Sequence, residues 1–108
     1  LARLKWIRFI RMSCDTDAVL GEVETAIRRL DEAGVKPYRV FVYLLVQDIA
    51  SAERRAVALR DIGAEVFAQP YRDFTTNREP PHELKRFARW VNRKEIFKTT
   101  NYFKDYRG

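Results

Sequence analysis

Apolar residues along this chain change three times from a short continuous run to a helical pattern. The strand-like runs are residues 6–12, 40–46 and 64–69. Each run is followed by apolar residues at helical spacing, which lie within residues 20–30, 52–59 and 84–91. This order predicts an α/β fold of three parallel strand–helix units, joined by right-handed crossovers and forming a single domain over residues 1–108.

The second run and the carboxyl terminus carry further information. Residues 40–46 are seven consecutive apolar residues. A strand with one face in water alternates apolar and polar residues, so this run predicts a strand covered on both faces. After Arg93 the helical pattern weakens, and residues 97–108 are expected to form an aromatic, basic tail.

Residues that begin and end helices flank the helical patterns. Residues 15–17 (Asp-Thr-Asp) are expected to cap the first helix, and Gly34 to end it, because glycine adopts positive φ at low cost. Either Asp48 or Ser51 is expected to cap the second helix, which Gly63 ends.

Composition limits the class of protein. With 46% hydrophobic and 13% aromatic residues, the chain is not disordered as a whole. Its single cysteine excludes an internal disulfide framework and any site built from several thiolates. No apolar run approaches the roughly 20 residues of a membrane span, and no export signal is visible. We therefore expect no membrane contact and a cytoplasmic location, and the absence of an initial methionine indicates a fragment of a longer protein.

Polar residues follow each predicted strand, where the carboxyl ends of parallel strands meet at one edge and ligands of α/β folds bind. In chain order they are Ser13, Cys14, Asp15, Gln47, Asp48, Gln69, Tyr71, Arg72 and Asp73. Arg72 and Asp73 are candidates for substrate binding, since a guanidinium pairs with a carboxylate or phosphate. The alternative is that these two side chains form an ion pair on the surface.

Two other residues bear on catalysis. Cys14 is a possible nucleophile and His82 the only imidazole base. A packing thiol and a histidine at a helix start are the favoured interpretations. No cysteine pair or histidine cluster predicts a metal site, and the isolated glycines form no phosphate loop.

Positive charge is concentrated near the carboxyl terminus. The chain has 21 Lys and Arg residues against 15 Asp and Glu residues, a net charge of +6. Basic and aromatic residues interleave from Arg86 to Lys104, as in surfaces that track a phosphate backbone and stack on bases. An RNA- or single-stranded-DNA-binding module is therefore an alternative function, although such basic faces are also often only solvated.

Several segments together resemble a known family. They are Tyr-Leu-Leu-Val-Gln-Asp at 43–48, Phe-Ala-Gln-Pro-Tyr-Arg-Asp-Phe at 67–74, Phe-Ala-Arg-Trp-Val-Asn at 87–92 and Ile-Phe-Lys at 96–98. This pattern resembles the carboxyl-terminal half of radical S-adenosylmethionine (SAM) proteins, in a bacterial and phage-associated group. The resemblance implies units four to six of a partial TIM-like (βα)6 barrel.

The resemblance also implies roles for individual residues. By position in that barrel, the cofactor-binding residues would be Ser13, Asp15, Val46, Gln47, Asp48, Ala68, Gln69 and Tyr71. The parent protein would hold SAM and a four-iron four-sulfur cluster. The cluster-binding Cys-x-x-x-Cys-x-x-Cys motif is absent from this chain. No cofactor and no catalysis are therefore expected of the chain alone, because a single thiol cannot hold the cluster.

Three strands of an incomplete barrel would leave two unpaired edges and an uncovered inner face. We expect these surfaces to meet the missing amino-terminal half of the barrel in the parent. In the isolated chain, we expect them to promote a homodimer or higher oligomer.

Overall fold

The computed structural model describes residues 10–71 and 79–107, in which strands and helices alternate as the sequence predicts. In chain order the elements are β1 (Ile10–Ser13), α1 (Leu20–Glu32), β2 (Val40–Val46), α2 (Ile49–Asp61), β3 (Glu65–Pro70), α3 (His82–Asn92) and α4 (Lys94–Thr99). Residues 6–9 of the first predicted strand lie outside the described residues. Within those residues, no helix has both the length and the apolar character needed to cross a lipid bilayer.

The three strands form one open parallel sheet in the order β1-β2-β3. Val42 at the centre lies beside Met12 of β1 and Val66 of β3. Each step along the sheet goes in the same direction, and right-handed crossovers then place the connecting helices on one face. The prediction of a mixed α/β fold with three parallel strands is confirmed.

One face of the sheet packs against the helices, and the other is only partly covered. Along β2, Val40, Val42, Leu44 and Val46 are buried in the same core cluster as residues of the helices. Between them lies Tyr43, which is 38% exposed. Phe41 and Leu45 on the same side are half-buried, so the prediction that β2 is covered on both faces fails at Tyr43. The apolar run conceals an alternation of buried and more exposed side chains. Tyrosine is counted as apolar, although its hydroxyl is compatible with water.

The turns after α1 and α2 are set by glycines. Gly34 and Gly63 have φ angles of 98° and 95°. At each turn, the following residue donates its amide back into the last turn of the helix, Val35 to Leu30 at 2.8 Å and Ala64 to Leu59 at 3.1 Å. These bonds satisfy carbonyl groups at the helix ends that would otherwise lack partners. The predicted ends of α1 at Gly34 and of α2 at Gly63 are confirmed.

The segment expected to form a basic, aromatic tail is built into the core instead. Its first residues, 97–99, form the end of α4, a helix that the sequence pattern did not predict. Trp90 of α3 packs edge-on against Phe97 at a centroid distance of 4.9 Å, and Phe87 against Phe103 at 5.2 Å. These four side chains and Tyr106 are buried, and they extend the core beyond α3.

Two arginines fasten this segment to α2 and α3. Arg60 donates to the carbonyl oxygens of Phe97, Thr100 and Asn101 at 2.9 to 3.2 Å, which satisfies the end of α4. Arg86 lies over the rings of Phe103 and Tyr106, 5.0 and 5.2 Å from their centroids. The basic residues therefore hold the aromatic rings in place, rather than forming a surface with them.

The outer edge of β3 is closed by a side chain. The Asn92 amide accepts a hydrogen bond from the Ala68 backbone N–H at 2.7 Å and donates to the Ala68 carbonyl at 2.9 Å. Both backbone groups of Ala68 therefore have the partners that a neighbouring strand would supply. Asn92 thus blocks further strand pairing at the middle of β3.

Replacing Asn92 with alanine should lower the free energy of unfolding by about 1–3 kcal/mol, because two half-buried backbone groups of Ala68 lose their partners. Urea denaturation followed by circular dichroism measures the change. Asn101→Ala, at an exposed position, is the matched control and should have little effect. Equal losses in both variants would show that the Ala68 pairing contributes nothing specific.

Candidate functional site

The carboxyl edge of the sheet brings several of the predicted site residues together. Ser13 ends β1, Gln47 follows β2, and Gln69 and Tyr71 lie at and just after the end of β3. All four residues are exposed, and Tyr71 is 41% exposed. Their hydroxyl, amide and phenol groups are able to bind a polar ligand at this edge.

An aromatic pair lies beside these groups on the face of the sheet that the helices leave open. Tyr43 and Phe67 are neighbours in register on β2 and β3, with an edge-to-face geometry and a centroid distance of 5.9 Å. Phe67 is 41% exposed. Tyr71 was predicted at this edge from the sequence and Tyr43 was missed, although a tyrosine in the middle of an apolar run was the available signal.

The amino-terminal end of the same face is charged and already paired. Lys94 lies 2.6 Å from the Glu65 carboxylate and 4.9 Å from the centroid of the Phe41 ring, and Lys98 lies 3.3 Å from the second Glu65 oxygen. Burial raises the pKa of Glu65, but the hydrogen bonds and charges of the two lysines outweigh it and leave the pKa below its ordinary value. The candidate ligand-binding surface is therefore the carboxyl half of this face.

Asp15 is committed to the backbone. Its carboxylate accepts a hydrogen bond from the Leu45 N–H at 3.1 Å. One residue earlier in the chain, the Cys14 N–H donates to the Tyr43 carbonyl at 2.9 Å. The Asp15 side chain therefore extends the hydrogen bonding between β1 and β2. The implied role in cofactor binding would have to share this carboxylate with Leu45.

Asp48 is also a structural residue. It is the N-cap of α2, and its carboxylate accepts a hydrogen bond from the Ser51 N–H at 3.1 Å. Of the two candidate caps that the sequence left open, the structure thus selects Asp48. Residues 15–17 do not cap α1, whose N-cap is Val19 without a side-chain bond, and that prediction is wrong. The carboxylates of Asp15 and Asp17 instead bind groups more than 29 residues away along the chain.

Two further candidates face away from the open side. Val46 and Ala68 are 0% and 1% exposed, with their side chains in the core on the helix side. The Val46 carbonyl accepts from the Tyr71 N–H at 2.9 Å, and both backbone groups of Ala68 are bonded to Asn92. Arg72, Asp73 and Phe74 lie outside the described residues, and the two interpretations of Arg72 both stand.

A charge network behind the carboxyl edge was not predicted from the sequence. The Asp17 carboxylate accepts hydrogen bonds from Ser51 Oγ at 2.7 Å and from Arg54 at 2.7 and 3.2 Å. Arg55, only 2% exposed, donates to the Cys14 carbonyl, and its Nε lies 3.3 Å from Asp17. The signal was an arginine within the apolar stripe of α2, between Ala52 and Ala56, because an arginine there must be buried with a partner.

This network sets the protonation of its members. Hydrogen bonds from Arg54 and then Ser51 hold the pKa of Asp17 below its ordinary value, so the carboxylate is ionised at neutral pH. Burial raises the pKa of the Cys14 thiol, and the nearby charge of Arg55 offsets this only in part. A thiol with a raised pKa carries little thiolate and is a poor nucleophile, as expected for a packing residue.

His82 is the first residue of α3 and is exposed, at the position predicted for it. Cys14 is buried in the core, so the two residues do not form a nucleophile and base pair. Among residues 10–71 and 79–107, no group of three or more His, Cys, Asp or Glu side chains is placed to hold a metal ion.

The aromatic residues that the nucleic-acid alternative requires are largely inaccessible. Trp90, Phe97 and Phe103 are 0%, 3% and 9% exposed. In that segment Tyr102, at 51%, is an exposed aromatic side chain, with Lys104 lying 5.7 Å from the centroid of its ring. The interleaved pattern therefore reflects a core bordered by cations rather than a stacking surface.

Comparison of the chain with protein-family models, curated proteins and solved structures gives no match. The structure alone therefore defines the class of this protein. It is a mixed α/β domain with three parallel strands in one open sheet.

Replacing Arg55 with leucine should destabilise the fold by about 2–4 kcal/mol, because the Cys14 carbonyl loses a buried charged donor and Asp17 loses one cation. Chemical denaturation measures the change. Arg54→Leu is the matched control: Arg54 is exposed and solvent screens its charge, so the loss should be clearly smaller. The reverse order of the two losses would contradict this assignment.

The contribution of Asp17 should depend on pH. Because folding lowers its pKa, its stabilising effect is complete at neutral pH and is lost as the pH falls from the ordinary aspartate range through the lowered pKa of the folded state. Asp17→Asn should therefore be less stable than the unmodified chain at neutral pH, and the difference should shrink on acidification. Denaturation midpoints over a pH series test this, and a difference independent of pH would contradict it.

Proposed function

We propose that this chain is the carboxyl-terminal part of a radical SAM protein, in which it supplies contacts to SAM and substrate but no iron–sulfur cluster. In this proposal its three strands are the last three of a partial TIM-like barrel. The proposal starts from the resemblance of residues 43–48, 67–74 and 87–98 to that family. Three features of the structure are compatible with it.

The observation that carries the proposal is the difference between the two edges of the sheet. Asn92 occupies the backbone groups of Ala68 at the β3 edge. Among the described residues, β1 pairs with β2 alone. A sheet that ends at β3 and continues beyond β1 fits the last three strands of a longer, unclosed barrel.

The placement of the helices is the second feature. In a barrel the helices surround the sheet and the inner face is left for side chains and ligands. Here the buried residues of β2 and β3 face the helices, and Tyr43, Phe67 and Gln69 are exposed on the other side. The open face would be the inner wall of the barrel.

The third feature is the chemistry of the carboxyl edge. SAM presents a planar adenine, ribose hydroxyls and a charged amino-acid group. The aromatic pair Tyr43 and Phe67 suits the adenine, while the amides of Gln47 and Gln69 and the hydroxyl of Ser13 suit the polar groups. This set fits SAM, which supplies the reactive group in the parent enzyme; these residues would bind and orient it.

The cluster does not fit this chain. Its ligands are thiolates, and Cys14 is the only cysteine, buried and with a raised pKa. The proposal therefore routes no chemical step through these residues. With SAM, iron, sulfide and a reductant, the chain alone should release no 5′-deoxyadenosine, and release would contradict the proposal.

The gene that encodes this chain provides the sharpest test. The reading frame upstream of the codon for Leu1 should encode three further strand–helix units, with a Cys-x-x-x-Cys-x-x-Cys motif in the first of them. Sequencing that region is sufficient. An upstream frame without the motif would overturn the proposal, whatever the chain binds.

Binding of SAM tests the edge itself. The chain alone is not expected to retain SAM, so in NMR titrations with excess SAM the amide shifts caused by weak contact should concentrate at residues 43–47 and 67–71. Tyr71→Ala should weaken binding by about threefold or more through loss of aromatic contact. Tyr102→Ala removes a tyrosine elsewhere that is 51% exposed, against 41% for Tyr71, and should leave binding unchanged. Equal effects of both variants would contradict the assignment of the site.

A nucleic-acid titration covers the alternative function. Tight binding of a single-stranded oligonucleotide that weakens steeply with salt, together with no SAM-dependent shifts, would favour the RNA- or DNA-binding module. We expect only feeble binding, since the aromatic residues needed for stacking along the last helices are buried.

A further inference from the structure

A groove runs along the side of the molecule opposite Asn92, between β1 and α1. Its volume is about 960 Å³, and Ile10 and Met12 line it from the strand. From the helix side the described lining residues are Ala18, Gly21, Glu22, Thr25, Ala26, Arg29 and Leu30. The groove is mainly apolar and is adjacent to the edge of β1 that faces away from β2.

The wall formed by α1 is complementary to itself. Glu22 and Arg29 lie at equal distances along α1 on either side of the point between Thr25 and Ala26. Gly21 and Leu30 are also equidistant from this point. Two α1 helices packed antiparallel about this point would place Glu22 of one copy opposite Arg29 of the other. They would also place Leu30 opposite Gly21, where a Cβ atom would meet nothing within 4 Å. Both charge and shape therefore match a second copy.

The strand edge is compatible with the same symmetry axis. A twofold axis perpendicular to the sheet would bring two β1 strands together in antiparallel pairing, with the two α1 helices above them. Strand pairing and helix packing would then occur in one interface and would cover the partly exposed Ile10 and Met12. The edge of β3 is a poorer choice, because Asn92 already occupies its centre.

We propose that two copies of this chain associate through β1 and α1 to form a twofold dimer with a continuous six-stranded sheet. Glu22 and Arg29 pair across the interface, and Leu30 packs into the space above Gly21. This surface lies on the flank of the sheet and leaves the edge with Ser13, Gln47 and Gln69 accessible. In the proposed parent enzyme, the same surface would receive the preceding strand–helix unit.

Sedimentation equilibrium measures the association directly. The chain should be mainly a dimer at about 500 μM and should dissociate on dilution, as expected of a modest interface. Glu22→Arg or Arg29→Glu alone brings like charges together and should raise the dimer dissociation constant about tenfold or more. The double variant Glu22→Arg/Arg29→Glu should restore dimerisation.

The rescue distinguishes an intermolecular pair from a local effect. Residues 22 and 29 are about 10 Å apart along one helix, too far to pair within it. Arg28→Glu is the matched control, since Arg28 is exposed on α1 and is not among the residues that line the groove. It should leave the dissociation constant unchanged.

A second variant guards against misfolding as the cause of any loss. Gly21→Gln should stabilise the monomer, because glycine is a poor helix former, and should weaken the dimer by filling the space for Leu30. A monomer at about 500 μM would overturn the proposal. So would a dimer that is insensitive to Glu22→Arg, Arg29→Glu and Gly21→Gln, which would instead favour packing through the open face. SAM binding is measured separately, so its failure leaves this result intact.

Discussion

The buried guanidinium of Arg55 is the interaction on which the arrangement of this domain depends. It connects the end of β1, through the Cys14 carbonyl, to α2 and to the Asp17 carboxylate. These groups come from segments that are 34 to 41 residues apart in the chain. A buried charge is tolerated only with partners, so the guanidinium of Arg55 requires these segments to pack next to one another. The carboxyl edge of the sheet is thus built on an ionic network rather than on apolar contact alone.

The two edges of the sheet are treated differently by the sequence. At β3, a side-chain amide replaces a neighbouring strand at one residue, Ala68. At β1, the adjoining helix surface is formed by small residues with a charge on either side. A protein that ends its sheet at one side and extends it at the other needs this asymmetry, since two unprotected edges would allow uncontrolled association. The same asymmetry supports the proposed barrel segment and the proposed dimer.

Local pattern was sufficient for much of the fold, and long-range bonding explains where it failed. The bounds of β2, the glycine ends of α1 and α2 and the stripe of α3 follow from spacing alone. The roles of Asp15 and Asp17 do not, because their partners are about 30 residues away and local rules favour capping. The helix α4 is six residues long, which is too short for a periodic stripe. For the candidate site, the order of strands located Ser13, Gln47 and Gln69, but spacing alone did not decide whether Asp48 or Ser51 caps α2.

The burial of Cys14 has a practical consequence. It is the only cysteine in the chain and lies under the junction of β1 and α2, with no exposed surface. A thiol reagent reacts with it only when that junction opens, because reaction requires an accessible thiolate. The rate at which a thiol reagent labels Cys14 in the unmodified protein therefore measures how often the structure opens near the carboxyl edge. This measurement requires no engineered probe.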